Sequence, residues 1–152
     1  MICVSIFHRL TKSSSLLLLL NIFIISHSLT SGQTPTKKLV KVKEIIPDIE
    51  IELKYSTTDN FTKQILYPTN TCYLAFGALE NLKLVQDSLR NIYSHNGSKY
   101  SEGLGLKIWD GYRPRSVQYR MWEIVPDPRY VADPNIGSSH NRGGAVDLTI
   151  ID

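Results

Sequence analysis

The sequence predicts an α+β fold: it holds several strand-like stretches and one long helical stretch, without the regular alternation that a wound parallel sheet requires. Three observations carry this. Residues 49–55, IEIELKY, alternate Ile49, Ile51, Leu53 and Tyr55 against Glu50, Glu52 and Lys54, the period-2 pattern of a strand with one wet face. Over residues 76–93, Leu79, Leu82, Val85, Leu89 and Ile92 recur at helical spacing. Residues 104–110 and 145–151, LGLKIWD and AVDLTII, return to strand-like alternation.

Taken in order, residues 33–38, QTPTKK, form a polar lead-in, and the first strand ends at the turn formers of STTDNFT. The helix over residues 76–93 is amphipathic, suited to lie on a sheet, and HNG at 95–97 supplies its stop. Leu104, Leu106 and Ile108 then share one face of a second strand, Gly111 opens a turn, and a short helix starts near Ser116. PDPRYVADPNIG, rich in Pro and Asp, is a loop. In the last strand Val146, Leu148 and Ile150 share one face, and Ala145, Asp147 and Thr149 the other. There is no internal repeat.

Residues 1–32 differ from the rest. Arg9 and Lys12 precede the ten-residue apolar run 16–25, and small and polar residues follow, the order of a secretory signal peptide. A membrane span needs roughly 20 apolar residues. The expectation is therefore a cleaved signal over 1–32, a secreted or periplasmic product over 33–152, and no stable membrane insertion after cleavage. Of 17 basic side chains only Arg9 and Lys12 leave with the signal, so 15 face 14 acidic ones and no nucleic-acid footprint is expected. Cys72 stays alone once Cys3 is removed, which excludes an internal disulfide and suits a packed apolar side chain. Asn60 (NFT) and Asn96 (NGS) fit the glycosylation pattern.

Two constellations carry chemistry. In SSHNRGGAVDLTI, His140 precedes Asp147 by seven positions, and Gly143 and Gly144 let the chain fold the imidazole back beside the carboxylate. An imidazole and a carboxylate converging in this way suit Zn²⁺, though two ligands alone make no stable zinc site and a hydrogen-bonded surface pair has the same spacing. Ser138 and Ser139 are either substrate contacts or loop caps. In WDGYRP, Arg113 follows a buried strand and is held extended by Pro114; its planar fork fits a carboxylate or a developing oxyanion, and a solvated loop arginine is the alternative.

GLKIWDGYRP, VADPNIGSSHNRGGAVDLTI and YSTTDNF together resemble the zinc D-alanyl-D-alanine dipeptidases, the family that contains the vancomycin-resistance dipeptidase, over nearly all of residues 40–152. SxHxxGxAxDLT is the specific part, supported by DGYRP upstream in the right order. The resemblance implies a small, mainly antiparallel sheet with packed helices, the hedgehog-like zinc DD-peptidase fold. It implies one Zn²⁺ per chain held by His140 and Asp147, Arg113 stabilising the transition state, and Ser138 lining the pocket for a small D,D-dipeptide. The implied activity is hydrolysis of D-Ala-D-Ala.

The family's third zinc ligand and its general base belong to an ExxHW motif near the C-terminus, and no ExxH occurs in these 152 residues. The chain is therefore expected to be the N-terminal portion of such a dipeptidase, binding zinc weakly and without turnover by itself. A D,D-carboxypeptidase or endopeptidase of the same fold, acting on longer peptidoglycan stems, is the alternative, together with an inactive peptidoglycan-binding remnant.

Overall fold

The computed structural model describes residues 38–152. The expected signal peptide and nearly all of the lead-in lie outside those residues. The fold is α+β as expected.

Strand β1 (Leu39–Lys41) pairs antiparallel with β3 (Tyr73–Ala75), Val40 facing Leu74. Helix α1 (Val42–Ile45) turns the chain from β1 toward β2 (Glu50–Ile51). A second sheet has the order β2, β6 (Gly105–Asp110), β7 (Asp147–Ile151). Its β2–β6 pair is parallel and its β6–β7 pair antiparallel, and the latter carries an irregularity between Ile108 and Asp110. Helix α2 (Phe76–Arg90) runs straight on from β3, and α3 (Arg115–Ile124) follows Pro114, whose φ of −53° already suits a helix start.

The core sits between α2 and the strands. Ile49, Leu74, Leu79 and Ile108 are fully buried there, and Leu106 nearly so. The buried row of α2 is Leu79, Leu82 and Gln86, with Leu89 partly buried; Val85, expected on that row, is half exposed. Gln86 takes the position because its carbonyl oxygen accepts from the Leu106 N–H at 2.9 Å and its amide donates to Asp48 at 2.7 Å. Both ends of a buried amide are thereby satisfied.

Several boundaries differ from the expectation for physical reasons. The first strand, expected over 49–55, is only two residues long. The Asn70 side chain accepts from Leu53 N–H at 2.7 Å and donates to Ile51 C=O at 2.9 Å, taking over bonds that a neighbouring strand would make. Residues Lys54–Ser56 then coil into a 3₁₀ turn. Helix α2 stops at Arg90 rather than near residue 93, because residues 94–99 form a hairpin, β4 (Ser94–His95) with β5 (Ser98–Lys99). Its tip is Asn96–Gly97, with φ of 47° and 85°, the left-handed pair that two-residue hairpins favour. The last strand begins at Asp147, and Ile150 is largely exposed while Val146 and Leu148 pack on the core. No helix among the described residues is long and apolar enough to cross a membrane.

Candidate metal centre and cavity

The two sequence motifs interlock. The Arg113 N–H donates to His140 C=O at 3.1 Å, and the Asn141 side-chain amide donates to Arg113 C=O at 2.8 Å. Residues His140–Arg142 form a 3₁₀ turn that ends on Gly143 at φ 65°, a left-handed position. Gly143 is also hemmed in: a Cβ there would lie 2.7 Å from the Ala75 backbone nitrogen and from Leu39 Cδ2. Its carbonyl accepts from Ala75 N–H at 2.9 Å, which ties the loop to the start of α2. Glycine meets both demands at once.

This loop sets the orientation of one imidazole. His140 Nδ1 lies 2.9 Å from the Gly111 carbonyl oxygen, which can only accept, so the proton belongs on Nδ1 and the lone pair on Nε2. Nε2 stands 3.6 Å from Asp147 Oδ1. Two ligands at zinc bond lengths of about 2.0–2.2 Å in tetrahedral array are separated by roughly 3.3–3.6 Å. The pair therefore fits a zinc ion between its two donor atoms, and the carbonyl behind His140 is the usual support of a ligating imidazole. The sequence places these residues together, and so does the fold.

A third carboxylate is close: one donor atom each from Asp110, His140 and Asp147 lie within 4.8 Å of one another. Asp110 is nevertheless engaged elsewhere. Its Oδ1 accepts from the Tyr67 hydroxyl at 2.6 Å and from Gly111 N–H at 2.9 Å. Its Oδ2 accepts from Arg113 Nε at 3.1 Å and Nη2 at 2.6 Å. A carboxylate offers about four lone-pair sites, and all are taken.

Arg113 is 7% exposed, bonded to Asp110 and, through Nη1, to Gln118 Oε1 at 2.9 Å. Its guanidinium carbon lies 5.4 Å from the Tyr55 ring centroid. Burial works against its charge, and the Asp110 carboxylate beside it holds its pKa above the ordinary value all the same. The solvated-loop alternative for Arg113 is thus excluded. Ser138 donates its backbone N–H to Asn141 Oδ1 at 2.8 Å and accepts from Asn141 N–H on its hydroxyl at 3.4 Å, so in this structure it caps the loop. His95 lies in the exposed β4–β5 hairpin.

A cavity of about 790 Å³ opens beside the pair, lined among others by Asp147, Asp110, Trp109, Tyr55, Phe61 and Lys54. Its size suits a small ligand. Tyr55 is fixed by edge-on contacts to Phe61 and Tyr67, with centroids 6.0 and 5.7 Å apart. Burial pushes its phenol up to about 12; the nearby Arg113 charge opposes this and the charges of Asp110 and Asp147 add to it. The phenol therefore stays protonated at neutral pH. Sequence reasoning passed over Tyr55, Tyr67 and Asp110. The signal for Asp110 was its place three residues before Arg113, at the end of a buried strand.

The D-ala-D-ala dipeptidase family profile matches residues 35–152. The chain is 38% identical over 117 residues to a D-alanyl-D-alanine dipeptidase of Escherichia coli (strain K12), covering 77% of this chain and 55% of that protein. It is 30% identical over 127 residues to the enzyme of that description from Enterococcus faecium, covering 70% of this chain and 58% of the other. A Streptomyces coelicolor protein of the same description is 33% identical over 129 residues, covering 72% and 59%. The chain thus spans somewhat over half the length of these curated relatives.

Proposed function

The chain belongs to the D-ala-D-ala dipeptidase family, and from that premise we propose that it contributes to zinc-dependent hydrolysis of the free D-alanyl-D-alanine dipeptide. The observation that carries the reading is the His140–Asp147 pair, Nε2 to Oδ1 3.6 Å, opening beside a cavity of small-ligand size.

His140 Nε2 and one Asp147 oxygen would hold the ion. An ion held there would supply Lewis acidity, polarising a scissile carbonyl and bringing the pKa of a water down to about 7. Gly111 C=O keeps the imidazole in the ligating tautomer. Asp147, exposed on the cavity side, carries the negative charge that suits a divalent cation. Arg113, its guanidinium carbon 5.4 Å from the centroid of the cavity-lining Tyr55 ring, would lend positive charge to a developing oxyanion; stabilisation of that kind is typically worth about 10²- to 10³-fold in rate. Trp109, Phe61 and Tyr55 give the cavity apolar surface against which the methyl groups of a small substrate would pack. Ser138 as a substrate contact requires its hydroxyl to leave Asn141.

Catalytic zinc sites use three protein ligands and a base to take the water's proton. His140 and Asp147 provide two ligands, so turnover is proposed for the assembly that adds a third ligand and a glutamate. The reading of residues 1–32 as an export signal puts the reaction in the periplasm or outside the cell, where cell-wall precursors and turnover products are met.

The test is a zinc-loaded enzyme completed by a downstream ExxH segment in frame, assayed on D-Ala-D-Ala and on a stem pentapeptide. A dipeptidase prefers the small substrate strongly, whereas a carboxypeptidase or endopeptidase prefers the stem. Unchanged hydrolysis after combined His140→Ala and Asp147→Ala substitution would sink the proposal, and absence of any downstream ExxH would remove the enzymatic reading.

A further inference from the structure

We infer that Asp110 is a positioning residue and not a metal ligand: its buried carboxylate fixes the Arg113 guanidinium directly and, through Gly111, the orientation of the His140 ring. The inference rests on the reading of His140 and Asp147 as the metal-binding pair.

The β6–β7 ladder supplies the first argument. Ile108 pairs with Leu148 and Asp110 with Asp147, so two β6 residues, Trp109 and Asp110, stand against the single Asp147. Such a bulge re-aims side chains. Trp109 and Asp110 both join Asp147 in lining the cavity, but Asp110 is only 1% exposed. A carboxylate in that environment is stable only when its lone pairs are met by donors. The Tyr67 hydroxyl, the Gly111 N–H and the Nε and Nη2 donors of Arg113 meet them.

The second argument is what those donors are attached to. Gly111, held by its N–H to Asp110 Oδ1, presents its carbonyl to His140 Nδ1 at 2.9 Å. Asp110 Oδ2 itself lies 3.7 Å from the same nitrogen, too far for a hydrogen bond, so its hold on the ring runs through Gly111. One carboxylate therefore sets both the tautomer of the ligating imidazole and the angle of the guanidinium. Were Asp110 to turn toward an ion, the buried Tyr67 hydroxyl and the Nε and Nη2 donors of Arg113 would lose the acceptor they share, leaving Arg113 only its Nη1 bond to Gln118.

The experiment uses the full chain, ¹⁵N-labelled, as wild type, Asp110→Asn and Asp147→Ala, with circular dichroism as the check on folding. NMR of the metal-free protein reads the Arg113 Nε–H signal and the His140 ring nitrogens, and zinc titration reads metal affinity. Asp110→Asn is expected to broaden or shift the Arg113 signal, to replace the single His140 tautomer by a mixture, and to weaken zinc by about 10- to 100-fold. Asp147→Ala is expected to weaken zinc at least as much and to leave both NMR signals in place. The inference is overturned if Asp110→Asn leaves the Arg113 and His140 signals unchanged, whatever it does to zinc; loss of zinc with both signals intact would make Asp110 a ligand. Should Asp110→Asn fail to fold, Tyr67→Phe removes one of the four donors. A smaller change in the same two signals then supports the inference, and no change overturns it. These signals are read without metal or substrate, so a chain that shows them but belongs to no active dipeptidase refutes the proposed function alone.

Discussion

Asp110 and Asp147 face each other across the β6–β7 ladder, yet one is buried under four donors while the other has a half-exposed side chain and no hydrogen bond among the described residues. Two carboxylates of one ladder rung thereby have different roles. The buried one organises an arginine and a turn, and the exposed one is left with free oxygens beside a histidine nitrogen.

The first expected outcome concerns that free pair. His140→Ala and Asp147→Ala should each lower zinc affinity at least about 100-fold, since even residues supporting a ligand are worth 10- to 100-fold. The double substitution should add little, because the surviving donor of either single variant cannot hold the ion alone. A competitive zinc titration of the four proteins checks this. Additive losses would mean that the two residues do not grip the same ion.

Gly143 joins the loop to β3 and α2 at a left-handed φ of 65° with no room for a side chain. Gly143→Ala should destabilise the fold by about 1–3 kcal/mol through backbone strain and the clash with Ala75 and Leu39. It should also weaken zinc binding, because the turn that presents His140 ends on this residue. Urea unfolding and zinc titration are the measurements. Unaltered stability would show that the loop relaxes freely, and the fixed imidazole geometry would no longer follow.

Most of the site was legible because its parts are local in sequence. His140 and Asp147 are separated by one turn and a pair of glycines, so residue type and spacing were enough to bring them together. Arg113 was legible as a charge at the mouth of a turn, but its burial was not, since that depends on Tyr55, Tyr67 and Gln118 arriving from three other segments. The same limit explains the first strand. Alternation over residues 49–55 described side-chain burial correctly at Ile49 and Leu53, while Asn70, 17 residues after Leu53, ended the ladder with its side chain. β1 and β3 were missed because three-residue strands leave too short a pattern. Gln86 was invisible as a core residue, for its partner is a backbone N–H on β6.

Gln86 gives a direct test of that last point. Gln86→Ala would leave the Leu106 N–H unpaired in the core and remove a donor from Asp48. A buried unsatisfied group costs about 1–3 kcal/mol. Val85→Ala, one position away on the exposed side, should change stability by less than about 0.5 kcal/mol. Chemical denaturation of both variants decides the matter: equal effects would contradict the buried row of Leu79, Leu82 and Gln86.

Cys72 makes the last case, and it separates a packed thiol from a reactive one. Burial, with a smaller contribution from the Asp110 charge, pushes this thiol from 9.0 up to about 12. Its sulfur also fills the space beside Gly111, where a Cβ would come within 2.5 Å of it. At neutral pH the thiolate fraction is then on the order of one in 10⁵, and the thiolate is the reactive form. Native protein should alkylate with iodoacetamide far more slowly than urea-unfolded protein, as followed by mass spectrometry. The same shift has a pH consequence. A group whose folded pKa is raised stabilises the fold fully below its unfolded value and loses that contribution as pH rises through the folded one. Stability should hold to about pH 9 and fall toward about 12, with Tyr55, raised from 10.0 to about 12, adding to the fall. Cys72→Ala should be less stable at neutral pH, from the cavity it leaves, and should show a shallower alkaline decline. Rapid alkylation of the folded chain at neutral pH would overturn this account of Cys72.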